Sequence, residues 1–347
     1  LLLGQELPLY RMGHASQPPW DCGNRPAPTL GPPQCGEVSR ETPLFYHGPR
    51  RGTDLPAGRS NVESTAGYRR SVIKYPDIDP VAIAIGPLKL RWYGIMYLIG
   101  FWAGWWLARV RARRPGSGWR PEEVTDLLFY VAVGVVIGGR VGSILFYHLG
   151  DFLSDPLVLF KIWQGGMSFH GGFLGVMVGV WLFARKTGRN FWDVTDFFAP
   201  VCPPGLMAGR LGNFINGELW GKATDLPWGM QLSCERFGPY LCAYPRHPSQ
   251  LYEALLEGVV LFTILWWYSS KPRPRIAVSG MFLLCYGVLR TAVEFLRLPD
   301  AHIGYLAWGW LTMGQLLSIP MILVGIAFLV WAGRGGPGRK RAIENES

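Results

Sequence analysis

Four polar side chains fall within nine positions at the end of an apolar stretch. They are Arg210, Asn213, Asn216 and Glu218, in the run Gly-Leu-Met-Ala-Gly-Arg-Leu-Gly-Asn-Phe-Ile-Asn-Gly-Glu-Leu-Trp-Gly over 205–221. An arginine at membrane depth costs at least roughly 2.5–3.5 kcal/mol at the bilayer centre, so it persists where something binds it. Glycines at 209, 212, 217 and 221 remove bulk beside these groups and let backbone and a large ligand approach closely. A second set lies near the C-terminal end, where Tyr286, Arg290, Glu294 and Arg297 follow at spacings that put them on one helical stripe. Arg140, in Gly-Gly-Arg-Val-Gly, is a third cation inside an apolar segment. Counting Glu294 and Glu218 as the acids available to Arg140, Arg210 and Arg290 leaves one positive charge over. Phosphate is a fitting partner, because the planar guanidinium fork binds it through two parallel hydrogen bonds. The expectation is a site for an anionic phospholipid headgroup, with a basic pocket for a structural lipid as the other option.

A proton acceptor near neutral pH is available in His170, which opens His-Gly-Gly-Phe. The two glycines leave the imidazole accessible, and a hydrogen-bonded structural histidine is the competing reading. Arg-Trp-Tyr-Gly at 91–94 and Arg-His-Pro-Ser-Gln-Leu-Tyr-Glu at 246–253 begin two further apolar segments. The first is explained in part by an interfacial aromatic belt. The second either caps a helix through Ser249 or shapes the site. Asp193 and Asp196 are expected to cap the helix that follows them. A nucleophile elbow, a phosphate-binding Walker loop and a His-Glu-x-x-His helix are all missing from the sequence, which disfavours serine hydrolases, nucleotide-driven enzymes and zinc proteases.

The elements that must hold these residues are apolar. With 49% hydrophobic and only 17% charged residues, and with runs of membrane-spanning length, the chain reads as an all-α polytopic membrane protein. Seven spans are expected near 91–110, 124–148, 167–185, 194–215, 250–270, 278–297 and 311–333, each close to the roughly 20 residues that cross about 30 Å of hydrocarbon. Lys and Arg concentrate after the first, third, fifth and seventh spans, which puts the C-terminus in the cytoplasm and the N-terminal end outside. The net charge of +10 therefore reports topology, and its short clusters lack a nucleic-acid-binding pattern. Gly134, Gly138 and Gly142, and Gly171, Gly175 and Gly179, recur every fourth residue and read as helix-packing faces. The six cysteines lack metal-site spacing: Cys202 and Cys285 sit in apolar segments as packing residues, and a disulfide between Cys234 and Cys242 is an open option. Residues 1–70, rich in Pro, Gly and Arg, read as a disordered or spuriously translated extension, residues 72–333 as the membrane domain, and 334–347 as a basic cytoplasmic tail.

Taken together, Arg91–Gly94, Gly139-Arg140, Ser168–Gly172, Gly209–Glu218, Arg246–Glu253 and Tyr286-Gly287 through Arg290 to Glu294 resemble the prolipoprotein diacylglyceryl transferase family of bacteria. The likeness runs from about 72 to 333, while the N-terminal extension has no counterpart and the 222–245 loop looks short. The resemblance implies transfer of the diacylglyceryl group of phosphatidylglycerol to the lipobox cysteine of an exported prolipoprotein, at the outer leaflet of the bacterial inner membrane, with glycerol phosphate released. It implies His170 as the base, with Arg210 and Arg290 holding phosphate. Tyr93, Asn213, Asn216, Glu218, Gly221 and Glu294 would orient lipid and guanidinium groups, aided by Arg140 and Tyr286. It calls for no metal, diffusible cofactor or nucleic acid. A lipid transporter or flippase using the same arginines is the alternative, and it would need polar residues through the whole depth of the membrane.

Overall fold

The computed structural model describes residues 72–86, 88–161, 166–299 and 304–334. The expected extension over 1–70 and the tail beyond 334 lie outside the described residues. Helices dominate: α1 (Trp92–Ala112), α2 (Pro121–Tyr147), the short α3 (Leu149–Ser154), α4 (Phe169–Thr187), α5 (Phe191–Phe198), α6 (Pro203–Asn216), α7 (Cys234–Cys242), α8 (Ser249–Glu253), α9 (Leu261–Tyr268), α10 (Ala277–Glu294) and α11 (Met313–Gly333). A π-helical segment, Ala254–Val260, joins α8 to α9 and makes one continuous 20-residue rod from Ser249 to Tyr268. Among the described residues, four helices are long and apolar enough to cross a membrane: α2, this rod, α10 and α11. Their outward faces carry Phe129, Ile137, Leu145, Trp267, Leu323 and Trp331, all exposed. So much contiguous apolar surface has no place in water and fits a lipid environment. The chain is an all-α membrane protein with a few short strands.

The fourth expected span, 194–215, is not one helix. Pro200 sits in a 3₁₀ turn over Ala199–Val201, and Pro203 and Pro204 start α6 afresh, because proline has no N–H to continue a preceding ladder. Asp193 and Asp196 also differ from expectation. Asn190 caps α5 by accepting the Trp192 N–H at 2.9 Å. Asp193 takes a two-bond grip from Arg275 at 2.7 and 2.9 Å. Asp196 caps α10 instead of its own helix, accepting from the backbone N–H of Ile276 and Ser279 at 2.6 and 2.8 Å.

The two glycine ladders meet. A Cβ on Gly142 would lie 2.6 Å from the Gly171 Cα, and one on Gly175 would run into the Gly134 carbonyl. Backbone therefore touches backbone where α2 packs on α4, the close approach that small residues at every fourth position permit. A third contact of this kind brings Gly100 of α1 to Gly205 of α6. These pairings fix two rafts, α2 with α4 and α1 with α6, and α10 packs along α11.

Short strands tie the N-terminal end to the connection after α6. Strand β1 (Ile73–Lys74) pairs in parallel with β4 (Met230–Gln231), and β2 (Val81–Ile85) pairs antiparallel with β3 (Leu88–Arg91), which runs straight into α1. Tyr75 follows β1, buried among Phe214, Trp220 and Phe237. Its hydroxyl is shared between the last carbonyls of α6, Phe214 at 2.7 Å and Ile215 at 2.9 Å. The last carbonyls of a helix lack the regular i+4 partner, so the phenol acts as a C-terminal cap from 139 residues away, sharing the Phe214 carbonyl with the Gly217 N–H.

Gly175→Val should lower stability by about 1–3 kcal/mol, because the added methyls have only backbone to push against. Thermal unfolding in detergent would measure it, with Gly150→Ala, where a Cβ meets open space, as the neutral control.

Candidate active site

Helix α6 ends in a Schellman motif, which sets the shape of the site. Gly217 has φ +74°, its N–H bonds the Phe214 carbonyl at 3.0 Å, and the Glu218 N–H bonds the Asn213 carbonyl at 2.9 Å. This left-handed turn folds Glu218 back over the helix end. The amides of Asn213 and Asn216 then donate to its two oxygens at 3.2 and 3.3 Å. Burial pushes the Glu218 carboxyl above its ordinary range, against the lowering influence of those amides and of Arg91. Beyond it the chain is strapped down by the 246–250 motif. The Ser249 hydroxyl donates to the Leu219 carbonyl at 2.6 Å, the Gln250 amide donates to the Glu218 carbonyl, and the Gly221 N–H donates to the His247 carbonyl at 2.9 Å. Ser249 is thus a strap rather than a helix cap. Gly221 is required by proximity, since a Cβ there would stand 2.7 Å from both the His247 Cβ and the Leu296 carbonyl. Tyr93, in the first turn of α1, lies against Gly212 and edge-on to Tyr97.

One turn before Asn213, Arg210 enters a buried network of charges. Its Nη1 lies 3.2 Å from Glu253 Oε2, and its Nε and Nη2 both reach Glu257 Oε2, at 3.2 and 3.1 Å. Arg290 lies behind it, paired with Glu253, with Glu257 at 3.6 Å and with Glu294 at 2.7 Å. Arg297 completes the row, 3.7 Å from Glu294. Glu294 also accepts from the Thr312 hydroxyl at 3.0 Å. Thr312 forms a capping box with Gln315, so Glu294 rests at the N-terminus of α11, where a negative charge is favoured. Tyr286 is buried one turn away from Arg290, against Leu261 and Leu265 and stacked on Phe282.

The expected surplus of positive charge is absent from this cluster. Three guanidinium groups, 210, 290 and 297, face three carboxylates, 253, 257 and 294. The charge count from sequence omits Glu257, and it treats Glu253 only as part of the strap motif. Both are supplied by the rod over 249–268, and they lie 33 to 47 residues from Arg210 and Arg290 in sequence. The signal that could have found Glu257 is its place inside an apolar span, where a lone carboxylate must have a partner. Arg290 is expected to hold phosphate, yet its side chain is 1% exposed and engaged by three carboxylates. Arg210 is the most open member of the row, at 10%.

Arg140 and His170 belong to a different part of the molecule. Arg140 is buried in α2, and its guanidinium donates to the carbonyls of Leu159 at 3.3 Å, Gly166 at 3.2 Å, Lys161 at 3.1 Å and Val158. It organises the connection that leads into α4. His170 stands exposed in the first turn of that helix, edge-on to Phe169, with Ser168 as the N-cap. Among the described residues no hydrogen bond or ion pair joins His170 to Arg210, Glu218 or Arg290.

Cys234 and Cys242 form a disulfide across α7, and Cys202 and Cys285 are free and half-buried. Among the described residues no group of three or more His, Cys, Asp or Glu side chains could hold a metal ion.

Arg290→Met would leave three carboxylates short of a cation, at a cost of about 3–5 kcal/mol in stability. Adding Glu253→Gln should recover part of that loss. Denaturation in detergent would test both, and no recovery would mean that the ion pairs are not the source.

Residues 80–331 match the sequence profile of the family described as Prolipoprotein diacylglyceryl transferase. Similar curated proteins carry the name phosphatidylglycerol–prolipoprotein diacylglyceryl transferase. One from Solidesulfovibrio magneticus is 64% identical over 255 residues, covering 74% of this chain and 95% of that protein. One from Oleidesulfovibrio alaskensis is 60% identical over 261 residues, covering 75% and 96%. One from Pseudomonas aeruginosa is 55% identical over 271 residues, covering 78% and 100%.

Proposed function

The chain belongs to the prolipoprotein diacylglyceryl transferase family, and from that premise we propose that it moves the diacylglyceryl group of phosphatidylglycerol onto the lipobox cysteine of prolipoproteins. The sulfur forms a bond to the glyceryl carbon, the bond from that carbon to the phosphate oxygen breaks, the thiol proton goes to a base, and glycerol phosphate leaves. The reaction draws on the lipid alone, as the phosphate ester supplies the leaving group.

The observation that carries the reading at the level of residues is Arg210. It is the most exposed cation of a buried charge cluster, one turn from the Asn213–Glu218 platform. We assign it the lipid phosphate, where its fork stabilises charge growing on the leaving oxygen. Arg290, behind it, fixes Glu253 and Glu257 and acts on the phosphate through them. Asn213, Asn216, Glu218 and Gly221 shape the wall on which the glycerol headgroup lies, with Tyr93 at its edge. Tyr286 packs beneath the arginines, and Glu294 anchors Arg290. His170 takes the thiol proton: a free thiol with a pKa near 8.5 is mostly protonated at neutral pH, and an exposed imidazole can accept its proton. Arg140 positions His170 by holding the carbonyls of the connection that precedes it.

We infer seven passages from the apolar runs in the sequence, and the C-terminus in the cytoplasm with the site towards the outer leaflet of the inner membrane from the alternation of Lys and Arg in the connections. The Cys234–Cys242 disulfide supports an outward 222–248 connection, since such bonds persist in oxidising compartments. A flippase reading gains nothing from the charge cluster, whose members are paired with one another.

Incubating the purified chain with phosphatidylglycerol and a lipobox peptide should give a diacylglyceryl adduct by mass spectrometry. Arg210→Ala should cut adduct formation by about 10²-fold or more, by analogy with loss of a donor to a developing oxyanion, while the protein still inserts. Turnover near that of the unsubstituted protein would remove Arg210 from the phosphate. His170→Gln should be severely impaired, and a mild defect would shift proton removal to solvent. A reporter fused after Arg334 should be active only in the cytoplasm, and activity outside would reverse the topology.

A further inference from the structure

We propose that Glu257 is an internal stand-in for phosphate: it holds Arg210 between turnovers, yields it to the incoming lipid, and takes it back to expel glycerol phosphate. The inference rests on the transferase reading above and adds a residue to its site.

The geometry of the pair carries the argument. Nε and Nη2 of Arg210 form the side-on fork that ordinarily takes two oxygens of a carboxylate or phosphate. Here both close on a single atom, Glu257 Oε2, at 3.2 and 3.1 Å. The other oxygen, Oε1, makes no hydrogen bond and stands 3.6 Å from Arg290 Nη1. The carboxylate is therefore already shared between two cations. Released by Arg210, it can close the gap to Arg290 without ever being left uncompensated. Glu253 also has an oxygen without a hydrogen bond, Oε2 at 3.2 Å from Arg210, but its Oε1 is already closed on Arg290, so it has no gap there left to close.

The backbone is built for this placement. Glu257 sits in the π-helical segment Ala254–Val260, and irregular turns of this kind inside helices concentrate at functional sites. Gly258 brings the segment onto α6, where a Cβ would stand 2.5 Å from the Met207 Cβ. Arg210 is one turn further along the same helix.

Charge explains why such a competitor is useful. The lipid phosphate is a diester with one negative charge, whereas the released glycerol phosphate is a monoester carrying about −1.5 to −2 near neutral pH. A bare guanidinium in a poorly solvated site would hold the product more tightly than the substrate. A carboxylate waiting beside it lowers the affinity for both and lets the product go. Glu257 is a positioning residue in this scheme, acting through Arg210.

The test uses the full chain with phosphatidylglycerol, a lipobox peptide and added glycerol phosphate as inhibitor. Glu257→Gln should lower both the KM for the lipid and the inhibition constant of glycerol phosphate at least tenfold, and lower kcat. Glu257→Asp, which keeps the charge but withdraws it, should shift both constants the same way by less. A purely structural carboxylate would reduce stability and kcat without tightening either anion. Unchanged or weakened binding in a folded variant overturns the proposal, as does failure of both variants to accumulate folded. Thermal stabilisation by glycerol phosphate, read without turnover, separates this from the parent reading. An unsubstituted chain that forms no adduct defeats the transferase assignment, whereas equal stabilisation of the unsubstituted chain and the Glu257→Gln variant defeats only the exchange.

Discussion

Charge neutrality in a low-dielectric interior is the constraint on which the rest of the structure depends. An isolated ionised group taken from water loses several kcal/mol of solvation even after relaxation, so each buried arginine must arrive with its carboxylate. The row Arg210, Arg290, Arg297 and Glu253, Glu257, Glu294 meets that demand with side chains from α6, the 249–268 rod, and α10 with the residues just after it. Those elements cannot slide past one another without uncovering a charge. The network thereby sets the register of the helices around the site, a task that apolar packing, which tolerates small shifts, performs less strictly.

Glycine contacts do the complementary work away from the charges. Where α2 meets α4, backbone approaches backbone, and attraction comes from dispersion between well-fitted surfaces, since lipid tails compete equally for apolar side chains. This raft carries Arg140 and His170, while Arg210 and the Asn213–Glu218 platform stand on the α1 and α6 pair. The proposed proton acceptor and the proposed phosphate ligand thus ride on separately packed pairs of helices. In the proposed reaction a lipid and a peptide have to be brought together, and a site divided between two rafts assigns one group of the reaction to each. The exposed setting of His170 suits an acceptor that meets its thiol only when the peptide is present.

What can be read in the sequence follows from how local each determinant is. Helix positions are legible because apolar runs are local, and the facing of the glycine ladders follows from their period of four. The break in the fourth span is legible too, in Pro200, Pro203 and Pro204, but averaging hydropathy over a window hides prolines. The clustering of Arg210, Asn213 and Glu218 is legible from their density beside glycines. The pairing of Arg290 with Glu294, four residues on, is legible as well, but the shared partners Glu253 and Glu257 lie tens of residues from both arginines, and nothing local says which cation each carboxylate meets. Tyr75 gives no signal at all: a single tyrosine in a polar lead-in caps α6 because strand β1 happens to pair with β4.

Arg140 and Arg210 show that one residue type buried in one protein can answer to two different demands. Arg140 directs its donors to carbonyls of the 158–166 connection, partners with dipoles but no net charge. Such bonds fix a loop, and an anion arriving there would have to break several of them. Arg210 directs its donors to two carboxylates, partners of the same chemical kind as a phosphate. Replacing one of these by a phosphate oxygen exchanges like for like, so the barrier to exchange is small compared with the cost of leaving the guanidinium bare. An arginine paired with a carboxylate is thus held in the geometry that a phosphate needs before the phosphate arrives. By this reasoning the acids around a buried arginine, more than the arginine itself, distinguish a binding site from a brace.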